Sequence, residues 1–404
     1  MSNKIHHQIV VVGGGAAGLS IAARLLRASG IQDVAIIEPS DKHYYQPLWT
    51  LVGGGVAKRE DSVRPTASLI PKGAHWIQDA ASEFFPEENR LTTRDGKDIG
   101  YDYLVVAPGL QIDWHEIKGL PEALGKNGVC SNYSYDTVNS TWENIRNFKG
   151  GNAVFTFPPP PIKCAGAPQK IMYLAEHYFR KQGIRDKSRV IYYCATPTIF
   201  SAPKYAAALI DQVVKPRNIE VHYKHSLVEI RGESKEAVIQ NLDTGGTFVQ
   251  PYDMIHVVPP MSAPDFIKKS PLAGETGWVD VNKATTQHVR YPNVFSLGDA
   301  SSLPTSKTAA AVRAQGPILV KNLLEVMKGQ QATADYDGYT SCPLVTGYGK
   351  LILAEFDYDL KPRETFPFDQ GKERYSMYLL KRYVLPVIYW EGLVKGYKWP
   401  RFGA

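Results

Sequence analysis

Two sets of residues in this chain have types and spacings that could do chemistry. The first is the run Ile9-Val10-Val11-Val12-Gly13-Gly14-Gly15-Ala16-Ala17-Gly18, in which Gly13, Gly15 and Gly18 are spaced G-x-G-x-x-G. Glycine at the first position permits a tight turn. At the second it lets the backbone approach a pyrophosphate, and at the third it lets helix and strand pack closely. The helix that opens at Ala16 and Ala17 would point free N–H groups and its positive dipole end at that pyrophosphate. A second apolar run, Val34-Ala35-Ile36-Ile37, ends at Glu38, where a carboxylate can accept hydrogen bonds from ribose hydroxyls. A glycine-rich turn without a ligand is the plainer alternative, but strand, helix and terminal acid together favour dinucleotide binding. The second set is the four cysteines, Cys130, Cys164, Cys194 and Cys342. Their wide separation excludes a compact zinc motif, so no metal site is expected, and four in 404 residues is no disulfide scaffold. They are either buried spectators or a redox pair.

Positioning such residues takes a substantial fold, and 404 residues suffice for two or three domains. Hydrophobic residues make up 44% and charged residues 21%, a globular composition, and the net charge of +6 is too small to argue for nucleic acid. It suits an anionic small substrate or an anionic membrane surface. No apolar run approaches the ~18 residues needed to span a bilayer. Met1 to Gln8 is short and polar, so neither signal nor transit peptide is expected.

The elements follow from the pattern. Residues 1–38 read as a βαβ unit. The aromatic stretch His43-Tyr44-Tyr45-Gln46-Pro47-Leu48-Trp49 either lines a cavity or packs as a loop, and Arg64-Pro65-Thr66-Ala67 reads as a short helix. The run Tyr103-Leu104-Val105-Val106-Ala107 is a strand that re-enters the first domain beside the bound nucleotide. The run Asn293-Val294-Phe295-Ser296-Leu297-Gly298-Asp299 is another, and a small-residue helix begins at Lys307-Thr308. Between them a helix is expected over 135–148, a strand at 153–157, a rigid Pro158-Pro159-Pro160-Pro161, a helix over 169–181 and a strand at 189–194. A second dinucleotide fingerprint is expected after that last strand, yet Ala195-Thr196-Pro197-Thr198-Ile199-Phe200 has no glycine. The fold class is therefore α/β with two Rossmann-like domains, the second binding nicotinamide nucleotide poorly. From 345 onward Tyr, Phe, Trp, Leu and Pro dominate. A helix is expected over 373–383, and Val387-Ile388-Tyr389-Trp390 and Leu393 to Trp399 read as short amphipathic segments after Pro386. Interfacial aromatics with basic flanks suit a monotopic membrane anchor; a dimer or core interface is the alternative.

Longer motifs carry a family resemblance. They are Glu38-Pro39-Ser40 with the stretch from His43 to Gly53, Lys163-Cys164-Ala165-Gly166-Ala167-Pro168-Gln169-Lys170, Leu303-Pro304-Thr305-Ser306-Lys307-Thr308, and Tyr339-Thr340-Ser341-Cys342-Pro343-Leu344-Val345. With these the chain resembles the sulfide:quinone oxidoreductases of the FAD-dependent pyridine nucleotide-disulfide reductase type, close to the mitochondrial, animal-type branch. The resemblance implies noncovalent FAD, with contacts at Gly13, Gly15, Ala16, Ala17, Gly18, Glu38, Gln46, Ala107, Asp299, Lys307 and Thr308. It implies Cys164 and Cys342 as the redox pair: sulfide attacks, Cys342 holds a persulfide, and Cys164 is the thiolate beside the flavin. Glutathione, sulfite, cyanide or more sulfide would remove the sulfur, and ubiquinone or menaquinone would take the electrons. Lys163 and Lys170 flank Cys164, where positive charge lowers a thiol pKa and attracts HS⁻, although at least one is expected to be a solvated surface residue. Lys307 could stabilise charge on reduced flavin. Tyr348, Phe356 and Phe366 are candidates for a quinone pocket or for core packing; Cys130 and Cys194 read as spectators.

The domains expected are 1–115 with 290–344 for FAD, 116–289 for the second Rossmann-like unit, and 345–404 for quinone and membrane. A peripheral, monotopic protein of a bacterial plasma membrane or the mitochondrial inner membrane follows, with a homodimer as an open alternative to a monomer. The rival readings are a type II NADH:quinone dehydrogenase, a flavocytochrome-type sulfide dehydrogenase and a flavin-binding sensor without turnover.

Overall fold

Residues 5–397 are described by the structure, a computed structural model. The strand Ile5–Val12 is the centre of the first sheet, parallel to Val34–Ile37 on one side and to Asp98–Val106 on the other. Ala74–Ile77 adds beyond Val34–Ile37, and Val294–Ser296 returns from far along the chain to pair with Leu104, Val105 and Val106. These strands are runs of β-branched residues because both faces are covered: Ile9, Val10, Val11, Val34 and Ile36 are fully buried. Ala81–Phe85 and Arg90–Thr93 continue the sheet as an antiparallel meander from the first half of Asp98–Val106. The helices Ala16–Leu25 and Ala309–Met327 pack on each other over one face.

The second sheet is wholly parallel. Gly151–Phe157 lies between Ser188–Cys194 and Met254–His256, with Glu220–Tyr223 and Val129–Cys130 at the two edges. The helix Ala167–Lys181 makes the crossover between Gly151–Phe157 and Ser188–Cys194. It starts two residues before the expected Gln169, because Pro168 fits the first turn, where no N–H is needed. A three-stranded antiparallel sheet, His225–Arg231, Glu236–Asn241 and Thr247–Pro251, is inserted before the last central strand.

This strand order corrects one expectation. The topological counterpart of Ile5–Val12 is Gly151–Phe157, not Ser188–Cys194, so the loop equivalent to the glycine turn is 158–166. That loop has four prolines and Cys164 and no G-x-G-x-x-G. Three smaller corrections have local causes. Val63–Pro65 pairs with Lys42–Tyr44 as a strand, and only Thr66–Ser68 turns as a 3₁₀ helix. The helix expected over 135–148 runs from Val138 to Asn147, because the Ser134 hydroxyl accepts from the Asp136 N–H at 3.2 Å and holds a turn there. The C-terminal helix is not broken at Pro386: it runs from Tyr375 to Leu393, and Pro386 sits at the start of a short α turn between two wider π turns, where its missing N–H has no helical partner to lose.

That helix buries Met377, Tyr378, Lys381, Tyr389, Trp390 and Leu393 and exposes Tyr375, Tyr383, Val384 and Val387. Among the described residues no helix is long and apolar enough to cross a membrane. Lys398 and Trp399, the end of the second expected amphipathic segment, lie outside the described residues.

Candidate active site

A cavity of about 530 Å³ lies at the C-terminal ends of the strands Ile5–Val12 and Asp98–Val106, the usual ligand position in an open α/β sheet. Its floor is the glycine turn. Gly13 has φ +101°, and a Cβ there would stand 2.4 Å from the Ala107 carbonyl oxygen. A Cβ on Gly18 would stand 1.8 Å from the Gly13 oxygen, so helix and turn touch only because no side chain intervenes. Gly15 differs: a Cβ there would meet nothing within 4 Å, because it faces the cavity. The Glu38 carboxylate is locked by the N–H groups of Gly14 and Ser40, each at 2.7 Å. Gly14, Gly15, Ala16, Ala17, Glu38, Gln46, Ala107, Asp299, Lys307 and Thr308 all line the cavity, whereas Gly13 and Gly18 shape it from behind. The stretch from His43 to Pro47, with Trp49, lines it as well.

The cavity continues to Cys164. Although 178 positions apart in sequence, Cys164 and Cys342 bring their sulfurs to 4.0 Å as free thiols. Cys164 has φ +50°, a left-handed conformation unusual for a residue with a side chain. It is pinned by its N–H to the Lys307 oxygen at 3.0 Å and by its own oxygen to the Ala167 N–H at 2.8 Å. Cys342 comes from the strand Thr340–Gly347, against the helix that follows Cys164. Gly166 permits this approach, since a Cβ on it would lie 2.5 Å from the Cys342 sulfur.

The two thiols are polarised in opposite directions. Hydrogen bonding from Cys342, then the Lys170 ammonium, hold Cys164 well below the usual thiol value against the cost of burial. Cys342 is pushed well above it by the same hydrogen bond and by burial. Lys170 donates to the Cys164 sulfur at 3.2 Å and is 3% exposed, so it is no surface lysine. Lys163 is half-buried and donates to Gln46 Oε1 at 2.7 Å, and burial lowers it to about 8.

Lys307 donates to the Asp299 and Ser301 carbonyl oxygens at 2.7 and 3.1 Å and lies over the Trp278 ring. Burial lowers its ammonium to about 8 and raises the Asp299 carboxyl, each opposed by the other's charge. Thr308 caps the helix Ala309–Met327 by accepting from the Ala311 N–H at 3.0 Å, and its hydroxyl meets that of Thr340, two residues before Cys342, at 2.9 Å. The helix end and the strand that carries Cys342 are thereby fixed together.

One wall of the cavity is apolar and is formed by Phe366, Leu380, Leu385, Ile388, Tyr389 and Leu393. Tyr348 and Phe356 are not among its walls. The Tyr348 hydroxyl donates to the Gly54 oxygen at 2.8 Å, and Phe356, 2% exposed, packs edge-on to Phe200 in the core of the second unit. Lys381 was missed by sequence reasoning. It lines the cavity, donates to the Pro47 oxygen at 2.8 Å, and is lowered to about 7 by burial and by Lys170. The signal was the four-residue spacing of Lys381, Leu385, Tyr389 and Leu393 along one helix face. Cys130 and Cys194 are buried away from the cavity, and burial pushes Cys130 up to about 12.

Residues 7–143 match the pyridine nucleotide-disulphide oxidoreductase family. The chain is 54% identical over 395 residues to the mitochondrial sulfide:quinone oxidoreductase of Mus musculus, covering 98% of this chain and 88% of that protein. It is also 54% identical over 392 residues to the Dictyostelium discoideum mitochondrial enzyme of the same name, covering 96% of this chain and 86% of that one. The crystal structure of the sulfide:quinone oxidoreductase from Aquifex aeolicus superposes with a TM-score of 0.80 at 20% identity, over 98% of this chain and 93% of that one, which shows the shared fold. With such identity along nearly its whole length, the chain belongs to the sulfide:quinone oxidoreductase family.

Proposed function

We propose that this protein oxidises sulfide through Cys164 and Cys342 and passes two electrons, by way of a noncovalent FAD, to a membrane quinone. The observation that carries this reading is the 4.0 Å approach of the two sulfurs, Cys164 lining the same cavity as the dinucleotide turn. FAD fits the residues present. Gly15 leaves an open cradle, the N-terminus of Ala16–Leu25 supplies N–H donors, and Glu38 ends the second strand. Gln46, Ala107, Asp299, Lys307 and Thr308 would hold the remainder. Bound there, FAD supplies a two-electron acceptor between the thiols and the quinone.

The chain's own residues account for the sulfur chemistry. In the oxidised pair, HS⁻ attacks Cys342 Sγ. A new S–S bond forms there, the Cys164–Cys342 bond breaks, and its electron pair leaves on Cys164. Cys164 is the better leaving group because Lys170, at 3.2 Å, stabilises its thiolate. Cys342 is left as a persulfide, whose outer sulfur goes to a small nucleophile such as glutathione, sulfite or sulfide. Beside the apolar wall, burial and the Lys170 charge lower the Lys381 ammonium to about 7, so that it can give a proton to the quinone as it is reduced. The exposed Tyr383, Val384 and Val387 face outward on the same helix and suit a peripheral contact with the membrane that carries the quinone.

Anaerobic titration with sulfide tests the reading. The flavin should bleach stoichiometrically and reoxidise on addition of a short-chain quinone. Bleaching by NADH instead would favour a nicotinamide-dependent quinone reductase.

A further inference from the structure

We propose that His7, Asp33 and His75 form a binding site for a divalent transition metal of the zinc class, at the end of the first sheet remote from the cavity. His7 lies in the central strand, Asp33 immediately precedes the next, and His75 lies in the third. Three neighbouring strands thus each contribute one group, and the ligand atoms of all three lie within 4.8 Å of one another. His7 Nδ1 is 2.6 Å and His75 Nε2 3.8 Å from the same carboxylate oxygen, Asp33 Oδ1. The other oxygen, Oδ2, accepts from the Gln8 N–H at 3.0 Å. That bond fixes the carboxylate with Oδ1 turned toward both imidazoles, the supporting contact that orients a metal ligand.

Two imidazole nitrogens and one carboxylate oxygen are the donor set that borderline divalent ions take, with water completing a tetrahedron. His7 is 8% exposed and held by its strand, whereas His75 is 62% exposed at its side chain and leaves a route in from solvent. The plainer account is a His7–Asp33 ion pair. That account uses one imidazole at hydrogen-bond distance and has His75 only as a longer, 3.8 Å partner of the same oxygen, its ring centroid 5.1 Å from that of His7; an ion would draw both imidazoles onto one centre. An ion held here would tie the N-terminal half of the central strand to Val34–Ile37 beside it and to Ala74–Ile77 beyond that. By strand rise it lies roughly 20 Å from Gly14, so it would act on stability and not on the sulfur chemistry.

The test uses full-length flavin-loaded protein, stripped of metal and free of sulfide. Cobalt(II) serves as the spectroscopic probe and zinc as the competitor. The expected result is visible ligand-field absorption without a thiolate charge-transfer band, displaced by zinc, and a melting temperature raised by zinc. His75→Ala, an exposed change that the fold tolerates, should weaken cobalt binding at least about tenfold and abolish the zinc-dependent shift, while sulfide oxidation stays unchanged. Three results would each overturn the proposal: no cobalt spectrum, equal binding by His75→Ala, or a thiolate charge-transfer band that disappears in Cys164→Ser, which would place the ion on the cysteines.

Discussion

The two Rossmann-like units use the same topological position for opposite purposes. After Ile5–Val12 the chain turns through Gly13 to Gly15 into a helix; after Gly151–Phe157 it passes through four prolines and Cys164 into a helix. The first turn is open: at Gly15 nothing lies within 4 Å of a would-be Cβ, so a phosphate can approach the backbone. The second turn is filled: at Gly166 the corresponding space holds the Cys342 sulfur and Leu344. Glycine thus serves ligand approach in one unit and approach of the chain's own sulfur in the other. A parallel sheet offers an active position at the end of its first strand, and the residues in the loop decide what occupies it.

Substitution can break that contrast in steps of decreasing size. Cys164→Ser and Cys342→Ser should each lower sulfide-driven flavin reduction by at least ~10³-fold in stopped-flow traces while flavin content stays at wild-type level, since neither sulfur shapes the glycine turn. Paired glycine variants separate the two loops. Gly18→Ala drives a methyl into the Gly13 oxygen and should cost about 3 kcal/mol, with flavin lost during purification. Gly166→Ala should keep its flavin but displace Cys342, slowing the reaction with sulfide ~100-fold. Lys170→Met removes the cation beside Cys164; the pH dependence of its alkylation should move upward, and reduction at neutral pH should slow by about tenfold.

A further effect, on stability and confined to acid pH, concerns His43, which bridges the glycine turn and the C-terminal helix. Its Nδ1 meets the Gly14 oxygen at 3.0 Å and its Nε2 meets the Tyr389 hydroxyl at 2.7 Å. Burial lowers it to about 4, against a weaker upward pull from the Gly14 oxygen. Between that value and the ordinary one near 6.5 the unfolded chain binds the extra proton, so stability rises with pH across this window. It should be lost as pH falls, by up to about 3 kcal/mol. Urea unfolding at pH 4.5 and 7 reads this difference, and His43→Gln should flatten it.

Local order was legible in the chain. The G-x-G-x-x-G spacing, the acid at Glu38 and the apolar runs around Val10 and Val105 specify strand, turn and helix through contacts between near neighbours. The small-residue run after Lys307-Thr308 reads as a helix start for the same reason. The C-terminal helix was harder: Pro386 argues for a break, and only the wider turns on either side let the helix continue. Tyr348 and Phe356 share the composition of pocket residues, but composition does not say which face of a strand or hairpin meets the cavity.

By itself the sequence determined that one strand and turn can hold a dinucleotide, that no zinc motif of closely spaced cysteines exists, and which family its longer motifs resemble. Tertiary structure alone decided that Cys164 and Cys342 meet, that Lys170 is buried against one of them, and that Lys381 reaches the same cavity from the far end of the chain. The physical reason is range. Backbone propensity and capping act over a few residues, whereas the pKa of a thiol is set by charges within a few ångströms in space, and the fold brings those charges from segments that no local rule connects.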